Sequence, residues 1–122
     1  MLDPVRVLVY GGRNFTHQDF LYTTLDYYLS PIGFHNLAII EGEAPGADHL
    51  ARWWAEDRRV VEVEAYPADW RRYGNKAGPI RNKQMRDEGR PDFGIAFPGG
   101  TGTAHMTSLL RERSIPVIEV IT

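Results

Sequence analysis

Phe93-Gly94-Ile95-Ala96-Phe97-Pro98-Gly99-Gly100-Thr101-Gly102-Thr103 is the stretch on which the fold turns. An apolar run of strand length ends at Phe97. A glycine-rich turn then opens a helix-forming segment. Adjacent Gly99 and Gly100 let the chain reverse sharply and bring main-chain N–H groups close to a ligand. Thr101 and Thr103 add hydroxyl donors. A helix N-terminus behind such a turn favours an anion, most often a phosphate; the alternative is a tight turn and nothing more. Val5 to Tyr10 followed by Gly11-Gly12-Arg13-Asn14-Phe15 makes a second junction of the same kind. Two such junctions point to a nucleotide-like ligand without naming a reaction.

Outward from these junctions, strands and helices alternate. β-Branched and aromatic residues fill Val5–Tyr10, and Gly11-Gly12 end it, which predicts a buried strand. Phe20, Leu21, Thr24, Leu25, Tyr28 and Leu29 recur at three- and four-residue spacing and form one helical face. Thr16 is placed to cap that helix, and Pro31 with Gly33 to end it. Leu37 to Ile40 reads as the second strand and Gly42 to Asp48 as the loop after it. Leu50, Trp53 and Trp54 continue as a helix. Val60 to Tyr66 alternates apolar and acidic residues, so Glu62 and Glu64 would lie on an exposed face at a sheet edge. Pro67 to Gly78 reads as irregular. Pro79 suits a first helical position, with the helix running to Glu88. Phe93 to Phe97, Thr103 to Arg113 and Pro116 to Ile121 supply a strand, a helix and a last strand. This alternation predicts one α/β domain over 1–122, a Rossmann-like three-layer sandwich with a mainly parallel five-stranded sheet covered on both faces. The fold rules give the order 3-2-1-4-5, in which the two glycine turns face one crevice at the strands' carboxyl ends.

Totals narrow the function classes. The chain has no cysteine, which excludes disulfides and thiolate metal sites. A net charge of −2 supplies no global field to draw in nucleic acid. No apolar run approaches the roughly 20 residues that span a bilayer, no basic-then-apolar leader opens the sequence, and a cytoplasmic location is expected. A Gly-x-x-x-x-Gly-Lys-[Ser/Thr] loop is absent, which argues against nucleoside-triphosphate-driven work. His17, His35, His49 and His105 lack metal-ligand spacing, and no metal is expected; His105 lies near the glycine turn and could reach the crevice.

Several side chains carry two readings. Arg13 could grip a phosphate bidentately or pair with a surface carboxylate. Asp48 could accept sugar hydroxyls, or cap and complement its helix. Arg81 and Asn82 fall in the first turn of the predicted helix, where a cation opposes the dipole unless a phosphate is bound. Met85, one turn on, is expected in the core. Trp70 could stack on a base or plug the core's rim. Trp53 and Trp54 are expected in helix packing, with a subunit interface, and hence a homodimer, as the second possibility. Arg71, Arg72, Lys76, Arg81, Lys83 and Arg86, interleaved with Trp70 and Tyr73, would suit single-stranded nucleic acid, a phosphate-rich small ligand or simply a solvated loop.

Five ordered segments share one pattern: Gly11-Gly12-Arg13-Asn14-Phe15, Gly42 through Gly46-Ala47-Asp48, Pro67-Ala68-Asp69-Trp70, Gly78-Pro79-Ile80-Arg81-Asn82 with Met85, and Pro98-Gly99-Gly100-Thr101-Gly102-Thr103. In these the chain resembles the YspA-like family of the SLOG superfamily. That superfamily includes the LOG-type nucleoside-monophosphate phosphoribohydrolases and the Rossmann-like core of DprA. The resemblance implies a nucleotide or nucleotide-derived ligand, related to ADP-ribose, at the ends of strands 1, 2 and 4. It draws the site from Gly11, Gly12, Arg13, Phe15, Gly42, Gly46, Ala47, Asp48, Trp70, Arg81 and Asn82, and from Pro98, Gly99, Gly100, Thr101, Gly102 and Thr103. The LOG-type motif places a catalytic Glu where Met106 stands here, and a thioether cannot carry a proton as a carboxylate does. Arg81 matches the arginine of that family's Arg-Lys pair, with Asn82 at the lysine position. The resemblance thus keeps the phosphate-anchoring half and lacks the catalytic half. It leaves a sensor, an N-glycosidic nucleotide hydrolase drawing on Asp48 or Asp69, and a DprA-like single-strand binder as alternatives.

Overall fold

The computed structural model describes residues 3–121. Five strands form one all-parallel sheet in the order β3-β2-β1-β4-β5: β1 (Val5–Tyr10), β2 (Leu37–Glu41), β3 (Glu62–Ala65), β4 (Phe93–Ala96) and β5 (Val117–Glu119). Helices α1 (Gln18–Leu29) and α2 (Ala47–Arg58) cover one face; α4 (Ala77–Asp87) and α5 (Thr101–Glu112) cover the other, and the four-residue α3 (Trp70–Tyr73) follows β3. This is the expected α/β Rossmann-like sandwich in the expected strand order. No helix among the described residues is long and apolar enough to cross a membrane.

Side chains alternate across a strand, so a sheet covered on both faces needs apolar residues at odd and even positions alike. Val7, Val9, Leu37 and Ile39 pack against Leu21, Leu25 and Leu29 of α1 and Leu50, Ala51 and Trp54 of α2. Leu8, Tyr10 and Ile40 pack against Met85 of α4 and Met106, Leu109 and Leu110 of α5. Arg6 also points to this second face. Its Nη2 donates to Glu64 Oε2 (2.5 Å), its Nη1 lies 3.8 Å from Glu62, and its Nε donates to the Gly89 carbonyl (2.6 Å). Ala38 stands between Arg6 and Glu62 in the strand register, and its small side chain lets the arginine reach over β2.

Some local expectations are corrected. α1 starts at Gln18 with His17 in the cap position and no side-chain cap bond, so Thr16 is not the cap. The segment expected to be irregular is helical from Trp70: Asp69 accepts the Arg72 N–H (3.1 Å) and nucleates α3, and a 3₁₀ turn over Gly74–Lys76 feeds directly into α4. α4 therefore begins at Ala77, before Pro79. The proline is tolerated because the first four helical N–H groups have no intrahelical acceptor. β2 runs one residue further than expected, to Glu41. Trp54 is fully buried, its Nε1 donating to Asp26 (3.0 Å) and its ring edge-on to Phe34, whereas Trp53 is half exposed and takes no part in that packing. One helical step of 100° separates the two.

Trp54→Ala should lower unfolding free energy by about 3–5 kcal/mol through loss of buried surface and a cavity. Trp53→Ala should stay within about 0.5 kcal/mol. Chemical denaturation measures both.

Candidate functional site

At the carboxyl ends of β1, β2 and β4, three loops meet main chain to main chain. Gly12 N–H donates to the Pro98 carbonyl (3.0 Å), and the Gly12 carbonyl accepts Ala47 N–H (3.2 Å) and Phe15 N–H (3.2 Å). A Cβ on Gly12 would lie 2.9 Å from the Pro98 oxygen and 3.0 Å from Gly99 Cα. Gly46 has φ +82, and the Gly12 and Arg13 carbonyls fill the space a side chain would take. These glycines serve the docking of loop on loop.

Beside the junction lies a cavity of about 660 Å³. Of the residues singled out in the sequence, Gly11, Gly12, Arg13, Asp48, Trp70, Arg81, Asn82, Gly100, Thr101, Gly102 and Thr103 line it. Phe15, Gly42, Gly46, Ala47, Pro98 and Gly99 do not. Phe15 packs its ring 5.4 Å from that of Phe97. Gly42 is covered by Arg81 and Asp48. Ala47 is core, and Pro98 and Gly99 border a smaller hollow of about 320 Å³ behind the turn, with Thr107 and Glu119. Asn14, Ala44, Gly78 and Pro79, which belong to the shared motif segments, also line the main cavity, as do Tyr10 and Asn75, which carried no functional signal in the sequence. Met85, His105 and Met106 line it too.

The N-terminus of α5 opens on this cavity. Gly100 holds the cap position, no side chain caps the helix, and its first turn has no acidic residue. The Gly100 carbonyl takes the Ala104 N–H (3.1 Å), and the N–H groups of Thr101, Gly102 and Thr103 have no intrahelical acceptor. Gly100 (φ −104) and Gly102 lie outside the left-handed region, and an added Cβ at either would meet nothing within 4 Å. No packing contact requires glycine at either position; at Gly102, inside the helix, glycine costs roughly 1 kcal/mol against alanine, while Gly100 holds the cap position, which glycine suits better than alanine or valine.

Arg81 is the fifth residue of α4, not a first-turn residue, so the helix-dipole reason for a phosphate beside it does not hold. It is 9% exposed. Its Nη1 donates to the Gly42 carbonyl and, at 3.5 Å, to that of Tyr66, and its Nε donates to Asn82 Oδ1 (3.1 Å). Nη2 has no protein acceptor among the described residues. Asn82 Nδ2 in turn reaches the Gly102 carbonyl (3.4 Å) and His105 Nδ1 (3.2 Å), tying α4 to α5. Asp48, 4% exposed, accepts the Ala44 N–H (3.3 Å). Burial pushes its carboxyl up to about 6, against the pull of the Arg81 charge. It is the one carboxylate lining the cavity among the described residues, because Asp69 is exposed and capping α3. Met106 is buried in the core cluster with Leu8 and Tyr10. Arg13 is exposed, forms no ion pair among the described residues, and holds its guanidinium 5.0 Å from the centre of the Trp70 ring. Burial lowers the Arg81 pKa, the Asp48 charge opposes that, and the Arg13 charge adds a smaller push in the same direction as burial. No three His, Asp or Glu side chains gather as a metal site among the described residues.

Glu41 was missed. Its only signal is an acidic residue ending the apolar run Leu37–Ile40. It is fully buried: Oε1 accepts the Glu43 N–H (2.6 Å), Oε2 has no hydrogen-bond partner, and Arg52 Nη1 is 3.6 Å away. Burial, with the charges of Asp48 and Glu43, pushes its carboxyl up to about 7.

A carboxyl with a raised folded pKa keeps protons that the unfolded chain has released, so stability falls as pH rises between the two values. For Glu41 that interval runs from 4.5 to about 7, and for Asp48 from 3.8 to about 6. Denaturation midpoints of wild type and Glu41→Gln, measured from pH 4.5 to 8, should diverge in favour of the variant as pH rises.

A model of the YspA, cpYpsA-related SLOG family matches residues 5–73, from β1 through α3. The chain is also 36% identical over 121 residues to the "Gene 61 protein" of Mycobacterium phage D29, covering 93% of this chain and 94% of that protein. The family match takes in the Gly12 turn, the Asp48 loop and Trp70, and the phage relative extends the likeness across α4 and α5. The chain belongs to the YspA, cpYpsA-related family of the SLOG superfamily.

Proposed function

We propose that the cavity binds a nucleotide or nucleotide-derived ligand, ADP-ribose and its relatives included, as a cytoplasmic sensor. Membership of the SLOG family is consistent with a nucleotide-related ligand. The observation that carries the reading is the bare N-terminus of α5, where two glycines that no packing contact requires leave room for an anion on free N–H groups. Arg13 lines the same cavity as Arg81 and has no counter-ion among the described residues, so two cations there favour an anionic ligand. Arg81 holds the Gly42 loop with Nη1 and keeps Nη2 for the ligand. Asp48 is the acceptor for ribose hydroxyls, and Trp70 is the surface for a base.

A sensor fits better than a hydrolase because Met106, at the position of the LOG-type carboxylate, brings to the cavity wall a thioether that cannot carry a proton. The hydrolase reading retains one support, the Asp48 carboxyl on the cavity. The nucleic-acid reading is weaker. Arg71, Arg72, Lys76 and Lys83 are exposed, but Arg81 is turned inward and Arg86 is engaged by Asp87 (2.8 Å) and Glu112 (2.9 Å). A homodimer would use the exposed Tyr27, Tyr28 and Trp53 of α1 and α2.

The test is a panel of nucleoside monophosphates and ADP-ribose, followed by thermal shift and by chromatography for free base. At least one member should raise the melting temperature with no base released. Released base would replace the sensor with an enzyme, and no stabilisation across the panel would end the nucleotide reading. Gly100→Val should abolish that stabilisation, while the unliganded melting temperature falls only by the equivalent of about 1 kcal/mol for the lost glycine cap, since the side chain enters open space.

A further inference from the structure

Arg13 and Trp70 come from different loops that line the crevice. Arg13 follows β1, Trp70 follows β3, and β2 lies between those strands in the sheet. Both line the cavity, and the Arg13 guanidinium sits 5.0 Å from the Trp70 ring centre. The ring face it covers is therefore turned toward the cavity. The ring's edge rests on Gly78, where an added Cβ would lie 3.4 Å from Trp70 Cη2. The Arg13 main chain meanwhile is fixed at the loop junction, next to Gly12 on Pro98 and under Gly46. From that anchor only the flexible side chain moves.

We propose that Arg13 and Trp70 form an exclusive pair: the guanidinium either covers the ring, as it does here, or swings away to a phosphate at α5 and uncovers the ring for a base. The inference rests on the nucleotide reading above and adds to it a ligand class. The cavity selects a molecule that carries both a phosphate and an aromatic base over either part alone. A charge-assisted bond to phosphate is stronger than a solvent-exposed cation–π contact, so phosphate wins the competition for Arg13. A nucleoside lacking phosphate must displace Arg13 without offering it a new partner, and so binds poorly. Arg13 is then a specificity residue whose removal has opposite effects on two ligands, which a merely structural role would not produce.

The experiment uses full-length protein with adenosine, inorganic phosphate and AMP as probes. It follows the Trp70 indole N–H by ¹H–¹⁵N NMR, with the signal assigned through Trp70→Phe. Both residues are exposed, so the variants keep the fold. In wild type, phosphate alone should shift the Trp70 signal, and AMP should bind about tenfold or more tightly than adenosine. Arg13→Ala should weaken AMP by about tenfold yet bind adenosine at least twofold more tightly than wild type does, because the ring stands uncovered. AMP binding with an unmoved Trp70 signal, or Arg13→Ala weakening both ligands alike, overturns the exclusive pair and leaves the nucleotide reading standing. Failure of wild type to bind adenosine, AMP, any other nucleoside monophosphate or ADP-ribose at millimolar concentration overturns both.

Discussion

Gly12 lies where three loops touch through their main chains, and the site's geometry hangs on that contact. Its N–H reaches the β4–α5 loop and its carbonyl the first residue of α2. Hydrogen bonds between backbones need backbones a few ångströms apart, and side chains at Gly12 or Gly46 would hold them off. The close approach fixes α2 and α5 relative to the carboxyl end of β1. It also determines which main-chain donors are used up and which stay free. Ala47 N–H is consumed by the junction, while the first-turn donors of α5 are left to the cavity.

Past the end of β2 the sheet no longer separates its two helical layers. Asp48 from α2 and Arg81 from α4, which belong to opposite faces, meet there over Gly42. A buried cation and a buried carboxyl each carry a desolvation penalty that the other reduces. Arg81 also satisfies two carbonyls, Gly42 and Tyr66, that would otherwise end a strand and a turn beside a hollow. The site's polarity is thus part of its scaffold. At Glu41, one residue earlier, Oε2 has no hydrogen-bond partner among the described residues, Arg52 lies 3.6 Å away, and burial pushes the carboxyl up to about 7.

Strand order was legible because alternating strands and helices with right-handed crossovers leave few arrangements. The convergence of the two glycine turns followed from that order. Helix α3 was not legible: Trp70 to Tyr73 is too short for periodicity, and the flanking Pro67 and Gly74 read as loop. The Asp69 side chain, three residues before Arg72, was its one local signal. The misplaced start of α4 followed from treating Pro79 as a first residue, although any of the first helical positions accepts proline, and that shift gave Arg81 the wrong electrostatic setting. Glycine also has two uses that look alike in sequence. Gly12 and Gly46 make room for the protein's own backbone, whereas Gly100 and Gly102 face empty space, and only the surroundings of each Cα distinguish them.

The reach of Arg6 over Ala38 to Glu62 and Glu64 bears on how these molecules behave when crowded. β3 is an outermost strand, only four residues long, and an unprotected outer strand is a template on which another chain can continue the sheet. Here its carboxylates are held beneath a guanidinium from two strands away. A second molecule docking its own strand alongside would have to bring like charges together and strip water from a neutralised ion cluster. Growth into intermolecular ribbons is thereby discouraged on that side by residues that also fasten the inner strands together.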